Sequence, residues 1–120
     1  MDLVLKAKDT ARQDLTLADD LARKKQLNSA IDKYKIAIYE NPKVADTHLG
    51  YAICLEQLKP PIPADLRQAS TQYKAYMALD NTIPPKELEK LNKKIASLEE
   101  RAYKLEMKGK DTRSGAKRKF

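Results

Sequence analysis

Six prolines, gathered in three places, constrain this chain more than any other feature. Pro42, the group Pro60, Pro61 and Pro63, and the pair Pro84 and Pro85 separate stretches in which apolar side chains recur every three or four residues. Proline lacks a backbone donor and clashes with the preceding turn, so it breaks a helix interior and suits a helix start or the loop before one. Ala11, Leu15, Ala18, Leu21 and Ala22 form one stripe, and Ala30, Ile31, Tyr34, Ala37 and Ile38 a second. Ala45, Leu49, Ala52, Ile53 and Leu55 form a third, and Leu66, Ala69, Tyr73, Tyr76 and Met77 a fourth. This spacing places each set on one face of an α-helix, and no alternating run competes for a strand. The chain is expected to be all-α. Asn28 has the chemistry of an N-cap for the second helix, and Asp65 with Gln68 has capping-box spacing at the fourth.

Residues 85–107 differ in kind. Leu88, Leu91, Ile95, Leu98, Ala102 and Leu105 follow the 3,4 alternation of a heptad seam. Glu87 and Glu89 near its start and Lys104 and Lys108 near its end complement the helix dipole, and Gly109 is placed to act as a C′ cap. Two uses of the seam stand side by side. It can cap the preceding helices, or it can form a coiled coil with a second chain, for which Lys94 with Glu99 and Arg101 with Glu106 have the g–e′ spacing.

The chain's 120 residues suit one domain, and its composition excludes collagen-like, disulfide-scaffold and membrane classes. Its net charge of +7 would suggest nucleic acid or acidic membrane if it were spread over the fold. It is concentrated instead. Lys108, Lys110, Arg113, Lys117, Arg118 and Lys119, against Asp111 alone, account for +5 and leave +2 for residues 1–107. With Gly109, Thr112, Ser114 and Gly115 between them, residues 108–120 are expected to form a disordered basic tail. Solubilising the protein or docking a partner suits this tail best. Phosphate contact through Arg113, Lys117, Arg118 and Lys119 would lack aromatic stacking beyond Phe120, and attraction to acidic lipid would be weak.

Cys54 is alone and sits in the apolar run Tyr51–Leu55, which reads as a buried thiol in a reducing compartment. The first residues carry too short an apolar run for a signal peptide, and no stretch approaches the ~20 apolar residues of a membrane span. A cytoplasmic protein is expected.

Residues 11–44 carry a further pattern. Ala30 lies twelve residues after Ala18 and is followed by Tyr34, Ala37 and Pro42 at four, seven and twelve. Leu17, Ala18, Leu21, Ala30, Tyr34, Ala37 and Pro42 thereby occupy the signature positions of the tetratricopeptide repeat, a unit of ~34 residues and two antiparallel helices, which this stretch resembles. Residues 45–81 resemble a second unit through His48, Tyr51, Ala52, Leu55, Ala69 and Tyr73. That unit departs from the family in about five extra residues within 59–65, in Tyr76 where a small residue is usual, and in Asn81 where proline is typical. The resemblance covers residues 11–81. It implies an α-solenoid fragment, with residues 1–107 as one helical domain ahead of the tail.

Such proteins are generally binding modules whose first helices line a concave groove. The resemblance assigns to that groove Arg12, Leu15, Thr16, Asp19 and Arg23 from the first unit, and Asp46, Leu49, Gly50, Ile53 and Glu56 from the second. Leu15, Asp19, Leu49 and Ile53 stand where chaperone-tail receptors of the family carry a basic and amide clamp for carboxylates. The mixed surface fits an amphipathic helix or an extended apolar peptide better, unless the chain's own helix, Leu88 to Leu105, covers part of it.

Chemistry is sparse elsewhere. His48 is the only histidine and Cys54 the only cysteine, which disfavours a metal site. Gly50, Gly109 and Gly115 form no phosphate-cradling loop, and the adjacent acids Asp19–Asp20 and Glu99–Glu100 diverge on their helices. No enzyme and no cofactor are expected. The expected role is a non-catalytic adaptor or assembly factor holding a protein partner. The alternatives are a nucleic-acid- or ribosome-associated accessory protein acting through its tail, and a self-assembling homo-oligomer built on the heptad helix.

Overall fold

The computed structural model describes the backbone of residues 3–118 and the side chains of residues 9–109. Five helices follow in order: α1 (Leu3–Arg23), α2 (Leu27–Glu40), α3 (Ala45–Gln57), α4 (Pro63–Leu79) and α5 (Pro85–Arg118). Among the described residues there is no strand. The fold is all-α, and three of its four turns coincide with the proline groups. Pro63 and Pro85 each occupy the first position of a helix, where the missing donor costs nothing.

Two expected caps are corrected. Helix α2 begins at Leu27 after Gln26, so Asn28 lies inside its first turn, and no side chain caps it. Helix α4 begins at Pro63 behind an extended Ile62, so Asp65 stands within the first turn. There it complements the helix dipole instead of closing a capping box.

The turn without proline is closed by backbone. Gln26 N–H donates to Leu21 O at 2.9 Å and Lys25 N–H to Ala22 O at 3.0 Å, with Lys25 in the left-handed region at φ 60°. This is the Schellman geometry, in which glycine is the favoured residue. Lys25→Gly is expected to raise stability by about 0.5–1 kcal/mol, since relief of left-handed strain outweighs the added unfolded-state entropy. Urea unfolding checks it, and a loss of stability would contradict it.

Each helix packs on the next, and α1 also touches α3. Arg67 and Lys74 of α4 meet Glu106 and Glu99 of α5 in reverse order, so these two helices run antiparallel. The result is a linear stack measuring 65 × 33 × 27 Å.

The two hairpins share a plan. Ala18 and Ala30 in the first, and Ala52 and Ala69 in the second, are completely buried, while Tyr34 and Tyr73 are each 2% exposed. Alanine lets helix axes approach closely, and the tyrosine fills the space beside it. Each phenol donates to a carboxylate on the first helix of its own hairpin, Tyr34 to Asp19 at 2.6 Å and Tyr73 to Glu56. The longer α3–α4 turn, residues 58–62, carries the extra length of the second hairpin.

Helix α5 packs its seam against α4. Ile95, Leu98 and Ala102 are buried, Leu91 and Leu105 pack against the core from its edge, and Leu88 is half-buried. Three of the four charges spaced for a second chain find partners within this one. Lys94 reaches Glu56 at 3.4 Å, Glu99 accepts from Lys74 and Ser70 at 2.7 Å each, and Glu106 pairs with Arg67. Lys74 and Ser70 hold the Glu99 carboxyl below its ordinary range. Its small stabilising effect is therefore present above the ordinary carboxyl pKa and is lost as pH falls through the lowered one.

Helical backbone continues past Met107 and through Gly109, which has no positive φ, to Arg118. Gly109 therefore lies within α5 and does not act as its C′ residue. The contacts expected of Arg113, Lys117 and Arg118 fall outside the described side chains, and Lys119 lies outside the described residues. Among the described residues, no helix is long and apolar enough to cross a membrane.

Candidate functional site

Where α1, α2 and α3 meet, a groove of about 380 Å³ opens to solvent. Asp19, Ala22 and Arg23 come from α1 and Tyr34 from α2, while Asp46, Leu49, Gly50, Ile53, Cys54 and Gln57 come from α3. The spacing along α1 and α3 is three and four, so each helix presents one face. Tyr34 and the buried Cys54 form the floor, and Ile53, 40% exposed, stands on the wall.

Gly50 sets the depth of that floor. A β-carbon there would lie 2.5 Å from the Tyr34 hydroxyl and 2.6 Å from its ring. The glycine lets the phenol lie under α3 and reach Asp19. Gly50→Ala is expected to destabilise the protein by about 1–2 kcal/mol, because overpacking against a rigid ring exceeds alanine's gain in helix propensity. Thermal unfolding checks this, and an unchanged or higher Tm would contradict it.

The electrostatics of the groove floor are set by burial and by Asp19. Burial, then the hydrogen bond to Asp19, push the Tyr34 phenol far up, so it remains a donor. Burial, then Asp19, also raise the Cys54 thiol, which disfavours the nucleophilic thiolate. Arg23 pairs with Asp20 on its own helix, and Lys25 reaches Gln57 at 3.4 Å at the edge. Asp46 is exposed in the first turn of α3. Among the described residues, no group of three or more His, Cys, Asp or Glu side chains is arranged to hold a metal ion. The arrangement offers two carboxylates, a paired guanidinium and an aliphatic wall, which is the chemistry of binding a side chain or a short segment.

Asp19, Arg23, Asp46, Leu49, Gly50 and Ile53 stand together in the groove, whereas four other residues assigned to it do not line it. Arg12 and Leu15 border a separate depression of about 130 Å³ with Ala11, Asn41 and Val44. Thr16 donates to the Arg12 carbonyl at 3.0 Å. Glu56 accepts from Tyr73 and Lys94, which draw it towards α4 and α5. His48 joins the hairpins structurally, with its Nδ1 2.6 Å from Gln72 Oε1 and its Nε2 2.7 Å from the Pro42 carbonyl. Sequence reasoning missed Ala22, Tyr34, Cys54 and Gln57 as groove residues. A glycine inside a helical stripe, opposite a repeat tyrosine, was the available signal for Tyr34.

No family model, curated protein or solved structure matches the chain.

Proposed function

We propose that the protein is a non-catalytic adaptor or assembly factor of the tetratricopeptide type, working in the cytoplasm and holding a helix or peptide of a protein partner in the α1–α3 groove. One observation carries the reading. Side chains from two successive hairpins, Asp19 and Arg23 with Asp46, Leu49 and Ile53, converge over a floor kept open by Gly50. A mixed aliphatic and charged concavity of this size suits anchoring residues of a segment, with polar groups fixing its register. The paired buried alanines and tyrosines of the two hairpins support the repeat assignment.

Ile53→Lys tests it. Ile53 is 40% exposed, so the change should leave stability within about 0.5 kcal/mol and abolish capture of the partner from a native extract. Tyr39→Lys, at a position 90% exposed and not among the groove's lining residues, is the control and should capture normally. Equal capture by both variants would end the proposal.

A further inference from the structure

We propose that the groove receives the basic C-terminal segment of a second copy of this chain, residues 113–119, so that copies associate head to tail. The inference rests on the groove being a segment-binding site and names the occupant. Two carboxylates, Asp19 on α1 and Asp46 on α3, stand in the groove beside the aliphatic Leu49 and Ile53. Arg23, the cation that lines the groove, pairs with Asp20 on its own helix, and Lys25 stands at the edge, bonded to the neutral Gln57 amide. The matching ligand therefore carries ammonium or guanidinium heads on aliphatic stems, the stems lying on Leu49 and Ile53 and the heads meeting the carboxylates.

The chain carries such a segment. Residues 108–120 hold +5 of its net +7, with Arg113, Lys117, Arg118 and Lys119 in the last eight positions. The segment is directed away from its own groove. The backbone of α5 packs on α4 alone, and Glu106 is level with Arg67 near the start of α4. From there the helical backbone runs on to Arg118, about 18 Å further at 1.5 Å per residue. A second copy meets no such restriction. The contact is heterologous, leaving a free groove at one end and a free segment at the other, so mass should grow with concentration.

Fluorescence anisotropy of a labelled synthetic peptide of residues 108–120, titrated with the full-length protein, reads the contact directly. Saturable binding is expected, weakened by added salt and weakened about tenfold by Asp19→Asn with Asp46→Asn. Asparagine keeps an acceptor for the Tyr34 hydroxyl, and circular dichroism verifies the fold. In sedimentation, the mass of the wild type should rise with concentration, and Lys117→Gln with Arg118→Gln and Lys119→Gln should remain monomeric. Asp46→Lys mixed with Lys117→Glu, Arg118→Glu, Lys119→Glu should associate again. Absence of peptide binding, equal binding by the Asp19→Asn, Asp46→Asn protein, or a monomeric wild type at every concentration would overturn the proposal. If the peptide fails while Ile53→Lys still abolishes partner capture, the self-docking inference falls and the groove's binding role stands.

Discussion

Tyr34→Ala is expected to lower the unfolding free energy by about 3–5 kcal/mol, a large fraction of the 5–15 typical of a domain. The ring is 2% exposed, between Asp19 on its own hairpin and Gly50 on the next helix. Its removal leaves a void whose nearby small residues, Ala18, Ala30 and Ala52, cannot spread to fill it. It also takes away the donor to Asp19. Tyr34→Phe separates the two contributions: the ring remains, only the hydroxyl is lost, and the expected cost is about 1–2 kcal/mol. Urea unfolding of the three proteins, analysed at a common m-value, checks both figures. If Tyr34→Ala stays within about 1 kcal/mol of the wild type, the tyrosine does not hold the hairpins together.

Leu98→Ala is expected to cost about 2–5 kcal/mol through the same cavity mechanism, and Leu98→Asp should release α5 from the stack. Leu98 is 1% exposed at the middle of the seam, and the helix packs through its backbone on α4 alone. The ion pairs Lys74–Glu99 and Arg67–Glu106 are half-exposed, and such pairs contribute at most ~1 kcal/mol each, too little to retain the helix. Undocking would uncover the face of α4 that carries the buried Ser70, bonded to Glu99, and the Tyr73 ring beneath Lys94. Increased binding of a hydrophobic dye by Leu98→Asp, with protection from hydrogen exchange lost in α5 first, is the expected signature. A Leu98→Ala protein as stable as the wild type would show that α5 does not depend on this contact.

The helices were legible because proline and apolar spacing are local signals that tertiary packing has little reason to contradict. The hairpin plan was legible too, since alanine is required wherever two axes approach and tyrosine beside it fills the remaining space. The end of α5 was not. Glycine stops a helix only if the following backbone turns left-handed, and at Gly109 it continues as helix through lysine-rich sequence. Lys25 shows the converse, a left-handed cap on a residue that gives no sign of it. In the groove, Asp19, Arg23, Asp46, Leu49 and Ile53 were legible only through the repeat resemblance, which assigned them to one face of α1 and α3. Glu56 has similar register, yet the Tyr73 phenol and the Lys94 ammonium, from helices far along the chain, claim its carboxylate. Competition for one side chain by distant partners is invisible to periodicity.

The most direct measurement is the amide chemical-shift map of the isotopically labelled protein as the captured partner's binding segment is added. Shifts clustered at Asp19, Arg23, Asp46, Leu49, Gly50 and Ile53, and absent from Tyr39 and Tyr103, are the expected result. Shifts confined to α5, or none in the groove while binding is evident by another method, would contradict it.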